Sequence, residues 1–173
     1  MRYPPSRVVN MKKILLLSDT HSYIDETILK YVNQANEVWH AGDIGSLEVT
    51  DAIEKLKPLR AVYGNIDDAK IRGEFPLHHR FFCEGVDVWM THIGGSPGRY
   101  NPDIREEMKT NPPKLFICGH SHILKVMHDK KHGVLYMNPG AAGKHGFHKV
   151  CTMLRFVVDS GSIKDLEVVE FKR

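Results

Sequence analysis

Lys13-Ile14-Leu15-Leu16-Leu17-Ser18-Asp19-Thr20-His21 runs an unbroken apolar stretch into an aspartate and a histidine one residue apart. A run without polar alternation reads as a β-strand buried on both faces. Downstream, Asp25 to Gln34 carries Ile28, Leu29 and Val32 at helical spacing. Glu37-Val38-Trp39-His40 is a second short strand. Ser46, with Val49 behind it, opens a second helix to about Leu56, and Pro58 stops it. Leu59 to Tyr63 is a third strand.

Beyond Tyr63 the period changes. Leu77 to Phe82, Val86 to Met90, Leu115 to Cys118, Ile123 to Met127, Val134 to Met137, Val150 to Val158 and Leu166 to Phe171 all read as strands. One further helix is expected over Pro102 to Thr110. Alternating β and α followed by a strand-rich half predicts an α/β protein with two packed sheets and helices outside.

The 173 residues, 42% hydrophobic and 26% charged, have an ordinary globular composition and suit one domain with a real core. No repeat or linker divides residues 11–173, read as a single domain, and residues 1–10 (MRYPPSRVVN) are expected to be a flexible extension. That stretch lacks the apolar core of a signal peptide, and no apolar run is long enough to cross a bilayer. The cysteines Cys83, Cys118 and Cys151, odd in number and far apart, form no Cys-x-x-Cys pair; they suggest neither a disulfide framework nor a zinc ribbon and fit a reduced, cytoplasmic protein. A net charge of +3 with dispersed lysines and arginines gives no clear nucleic-acid surface. Eleven histidines remain to be explained.

Their positions follow the strands. Asp19-Thr20-His21 leaves the first strand, Gly42-Asp43 the second and Gly64-Asn65 the third. Thr91-His92 follows Met90, and Gly119-His120-Ser121-His122 follows Cys118. Ligand sites of open α/β sheets lie just outside the carboxyl ends of strands. In an extended segment, side chains at i and i+2 share a side, about 6.6 Å apart. Asp19 and His21 can therefore clasp one ion together. His120-Ser121-His122, which alone reads as a surface turn, can give one imidazole to each of two ions ~4 Å apart. Asp43, lacking a partner ligand of its own, is the candidate to bridge them. The glycines before Asp43, Asn65 and His120 are expected to let the backbone turn sharply. Imidazole, carboxylate and amide donors suit manganese, iron, nickel, cobalt or zinc, and the lack of thiolate argues against a structural zinc.

The order Asp-x-His, Gly-Asp, Gly-Asn, Thr-His and Gly-His-x-His resembles the calcineurin-like metallophosphoesterase superfamily. The short chain is similar to its small YfcE-like phosphodiesterase branch, over about Met11 to Arg173. The resemblance implies a four-layer α-β-β-α sandwich of two packed mixed β-sheets flanked by helices. It implies one metal on Asp19, His21 and His122, a second on Asn65, His92 and His120, and Asp43 bridging. Manganese is the expected metal. The implied activity is a dinuclear metal-dependent phosphoric ester hydrolase, a phosphodiesterase, using in-line attack of a metal-bridging hydroxide, with Asn65 and His92 stabilising charge. The substrate would be a small phosphoester, and a homo-oligomer is left open. Alternatives are a non-catalytic protein-binding scaffold, as in a retromer subunit of this fold, or a nuclease or cyclic-nucleotide phosphodiesterase.

Two positions depart from the family pattern. Many relatives carry a leaving-group histidine after the Gly-Asn; Ile66 stands here, as YfcE-like members commonly lack it, which implies diesters or good leaving groups. After Asn138-Pro139-Gly140, relatives often carry a serine and later an arginine, whereas this chain continues Ala141-Ala142-Gly143-Lys144-His145-Gly146. Lys144 and His145 read either as substrate contacts or as a solvated loop. Asp67 either orients Asn65 or a neighbouring imidazole, or caps a turn. His40 reads as a core or supporting histidine. His78, His79, His128, His132 and His148 read as exposed strand residues, and Gly94 to Gly98 as a mobile lip or a tight turn.

Overall fold

The computed structural model describes residues 11–173; the expected extension over 1–10 lies outside the described residues. Strand β1 (Met11–Leu17) buries both faces, as its apolar run requires. Ile14 and Leu16 point into one core cluster, Leu15 and Leu17 into another. It pairs in parallel with β2 (Glu37–His40), which pairs in parallel with β3 (Leu59–Ala61). Helices α1 (Glu26–Gln34) and α2 (Leu47–Glu54) make the two crossovers. Asp25 starts α1 by accepting the Ile28 N–H at 2.9 Å.

The chain then runs through α3 (Ala69–Glu74), β4 (His78–Cys83), β5 (Val86–Thr91), β6 (Gly95–Ser96), β7 (Arg99–Tyr100), α4 (Pro102–Thr110) and β8 (Leu115–Ile117). It ends with β9 (Leu124–Asp129), β10 (Val134–Pro139), β11 (Val150–Asp159) and β12 (Ser162–Lys172). One sheet has the order β12-β11-β1-β2-β3, the other β4-β5-β8-β10-β9, and both mix parallel with antiparallel pairs. Between them lies a core in which Trp39 meets Phe81 and Phe156 edge-on, with ring centroids 5.1 and 5.6 Å apart.

Ile28, Val32, Val49, Ile53 and Ile71 of α1 to α3 cover the outer face of the first sheet. Ile104 and Met108 of α4 cover the second against Trp89 and Phe116. The architecture is thus the expected four-layer α-β-β-α sandwich. Two features were not expected: α3, and the short β6–β7 hairpin, into which the Gly94 to Gly98 stretch folds. Among the described residues, no helix is long and apolar enough to cross a membrane.

Candidate metal centre

The parallel strands of both sheets deliver their carboxyl ends to one rim. The Asp19 N–H donates to the Gly42 carbonyl at 2.9 Å, and the His21 N–H to the Asp43 carbonyl at 3.0 Å. The Gly119 N–H donates to the His92 carbonyl at 3.0 Å. The exits are therefore stitched to one another by backbone as well as by side chains. Five of the seven candidate ligands, Asp19, His21, Asp43, His120 and His122, have φ between 45° and 68°. Left-handed backbone at a residue other than glycine costs on the order of 1–3 kcal/mol and persists where the surroundings impose it. Of the three glycines expected to turn the chain, only Gly42 is left-handed, with φ 95°. At Gly64 and Gly119 the requirement is room: an added Cβ would collide with the Asp43 carboxylate or with Ser18.

Six candidate ligands gather as Asp19, His21 and His122 on one side and Asp43, His92 and His120 on the other. Within each group the donor atoms lie within 4.8 Å of one another. The two oxygens of Asp43 face opposite ways. Oδ1 is 3.1 Å from His92 Nε2, and Oδ2 is 3.5 Å from His21 Nε2. Asp19 Oδ2 accepts from the Ser18 hydroxyl at 2.6 Å and from the His120 N–H at 3.1 Å, leaving Oδ1 3.2 Å from His122 Nε2.

The hydrogen bonds fix how the imidazoles point. His92 Nδ1 donates to the Ala41 carbonyl at 2.7 Å, so its other nitrogen carries the lone pair. That Nε2 is buried without a hydrogen-bond partner, as are Asp19 Oδ1 and His21 Nε2. A nitrogen lone pair facing carboxylate oxygens at 3.1 and 3.9 Å is repulsive unless a cation or a proton lies between. Titration tendencies agree. Burial opposes charge on His92, yet Asp43 and Asp19 outweigh it and hold its pKa above the usual value. The bond to Asp19 raises that of His122, while burial lowers that of His21. Burial also opposes charge on Asp43, but His92 beside it holds the carboxyl below the ordinary range. The donor set and its unpartnered buried atoms fit divalent cations.

Residues 11–161 match the profile of the calcineurin-like phosphoesterase superfamily domain. The chain belongs to this superfamily. As a member of it, the calcineurin-like chain is 26% identical over 133 residues to a Methanothermobacter thermautotrophicus protein named "Probable metallophosphoesterase", covering 73% of this chain and 74% of that one. Solved structures of the same fold include an archaeal phosphodiesterase, with a TM-score of 0.64, 20% identity, and 92% and 99% of the two chains covered. Another is Vps29 of Entamoeba histolytica complexed with zinc, with a TM-score of 0.67, 18% identity and the same coverages.

In this calcineurin-like chain an open cleft of about 620 Å³ lies over the two clusters, lined in part by Asn65, Ile66, Ile123, His145 and Phe147. His145 stacks on His21 with ring centroids 4.6 Å apart. Lys144 is instead turned so that its ammonium lies 4.6 Å over the Tyr23 ring. Among the described residues, the Asp67 carboxylate makes no hydrogen bond to Asn65's side chain or to an imidazole. Its buried carboxylate accepts the N–H groups of Gly64, Gly45 and Ile44 at 2.7, 2.7 and 3.1 Å, fixing the Asp43 and Asn65 loops together. The α3 cap is Asp68. His40 is fully buried, and both of its ring nitrogens are bonded to neighbouring groups. His148, expected as an exposed strand residue, instead lies half-buried in the cleft wall, its ring 5.5 Å from that of His122. His132 sits in a turn, bonded to Asp129 at 2.7 Å. A histidine in an irregular loop leaves no periodic signal, so neither placement was legible.

Proposed function

We propose that the protein is a dinuclear metal-dependent phosphodiesterase of the cytoplasm, with manganese as its metal. Asp19, His21 and His122 would hold one ion; Asn65, His92 and His120 the other; Asp43 would join them. The observation that carries this reading is Asp43, whose two oxygens each face a separate group of lone-pair donors. Two bound ions supply Lewis acidity towards a phosphate oxygen and a water of lowered pKa.

The chain's own residues do the rest. Asn65 would steady the charge that builds on the phosphate oxygens. His92, whose Nδ1 proton is given to the Ala41 carbonyl and whose Nε2 lone pair faces the ion, would act on that charge through the ion it holds. His145 stands at the mouth, where a substrate oxygen would arrive. The water oxygen joins phosphorus as one ester P–O bond breaks, and the water's proton ends on the departing alcohol. Ile66 offers that alcohol no proton, which favours alcohols that leave readily. Three free, buried cysteines support the reducing compartment.

The test is metal content together with turnover of a bis(4-nitrophenyl) diester and the corresponding monoester. Asp43→Asn is expected to bind fewer than two ions and to lose at least about a hundredfold in kcat/KM, more than changes to groups that only orient the ligands cost. Unchanged metal content and rate would overturn the reading. A chain that loads metal yet turns over neither ester would favour the scaffold alternative.

A further inference from the structure

The cleft rim carries more apolar surface than phosphate recognition needs. Ile66, Ile123 and Phe147 line it beside His21, Asp43 and His122, and their exposures are 46%, 65% and 103%. Phe147 is exposed although its loop is firmly braced. Arg173 donates from Nε and Nη2 to the Lys144 carbonyl at 3.0 and 2.7 Å, and from Nη1 to the His148 carbonyl at 3.0 Å. His148 Nε2 donates to the Gly143 carbonyl at 2.8 Å. Gly146, with φ 115°, has no side chain to hold the loop off the His122 ring, where a Cβ would clash. A braced loop thus presents an unpacked aromatic ring next to the metal clusters, and exposed apolar surface in a cleft marks a place where a ligand is received.

Charge narrows the ligand. Among the described residues lining the cleft, imidazoles are the sole basic groups. Lys144 lies on Tyr23, and Lys125 lines an adjoining hollow of about 340 Å³ that shares His120, Ser121 and Ile123 with the cleft. A second phosphate would find no guanidinium or ammonium in the cleft, whereas a diester carries one negative charge and two organic arms. About 620 Å³ leaves room for an arm beside the phosphate.

We infer that the cleft selects phosphodiesters bearing a planar aromatic arm, with Phe147 as the stacking surface and Ile66 and Ile123 as side walls. The inference rests on the phosphodiesterase reading above. Aromatic stacking and the burial that goes with it support a preference of about tenfold.

The experiment compares methyl 4-nitrophenyl phosphate with phenyl 4-nitrophenyl phosphate on the metal-loaded protein. Both release the same phenolate, so a difference in kcat/KM reads the second arm alone. The phenyl diester is expected to be preferred about tenfold, mainly through KM. In Phe147→Ala the ratio of the two substrates falls towards one, and in Phe147→Trp it is kept. Thymidine 5′-(4-nitrophenyl) phosphate keeps the same leaving group and carries a nucleobase on the second arm. Whichever arm gains the larger Phe147-dependent preference names the source. Equal turnover of all three esters, or a ratio that Phe147→Ala does not change, overturns this inference and leaves the phosphodiesterase reading standing. No turnover of any of them overturns both.

Discussion

His40 sits fully buried behind the rim with both ring nitrogens committed. Nδ1 accepts the Gly42 N–H at 3.2 Å, so Nε2 carries the proton and donates to the Thr20 hydroxyl at 2.9 Å, which in turn donates to the Ile44 carbonyl at 2.9 Å. A second proton has nowhere to go, and burial pushes the pKa down from 6.5 to about 4. Below pH 6.5 the unfolded chain takes up a proton that the folded chain refuses. The His40 contribution to stability is therefore intact above about 6.5 and is lost as pH falls towards 4, with a slope of up to about 1.4 kcal/mol per pH unit. Urea denaturation at pH 7.5, 6 and 4.5 should show this slope, and His40→Gln should flatten it. Asp67 is the companion case. Asp67→Ala strands three backbone N–H groups and should cost about 3 kcal/mol or more by the same measurement. It should also weaken metal binding by about 10- to 100-fold, because the loops bearing Asp43 and Asn65 lose their common anchor.

Elements show where local pattern suffices and where it does not. β1 was readable because both its faces are buried, leaving an unbroken apolar run. α4, expected over Pro102 to Thr110, forms over those residues, and at its start Asn101 accepts the Asp103 N–H at 3.0 Å. α3 was not expected, since six residues including Gly73 bury little more than Ile71. β12 begins at Ser162, earlier than Leu166, because an edge strand is mostly exposed and its polar residues break the alternation. The candidate ligands stood out in the sequence because each lies within a few residues of a strand end. The need for room at Gly64 did not, since it arises from a loop of another strand. Gly64→Ala should push the Asp43 carboxylate aside, lowering metal content below two per chain with little loss of helix and sheet by circular dichroism.

At the scale of the molecule, the two sheets divide their ends by role. At the amino end of β2, Glu37 accepts from Lys12, Trp39 and Arg60, a satisfied network holding the sheet edge in place. At the carboxyl ends, carboxylates and lone pairs are left facing one another. Bound cations would relieve that repulsion, so metal should stabilise the fold by mass action, about 2.7 kcal/mol at a hundredfold excess over Kd. A melt with and without a chelator should show a fall in Tm, restored by manganese. The most direct test is a crystal grown with manganese and measured at its absorption edge. Two anomalous peaks are expected, one against Asp19, His21 and His122, the other against Asn65, His92 and His120, with Asp43 between. No peak at this rim, or peaks held by other side chains, would contradict the dinuclear centre.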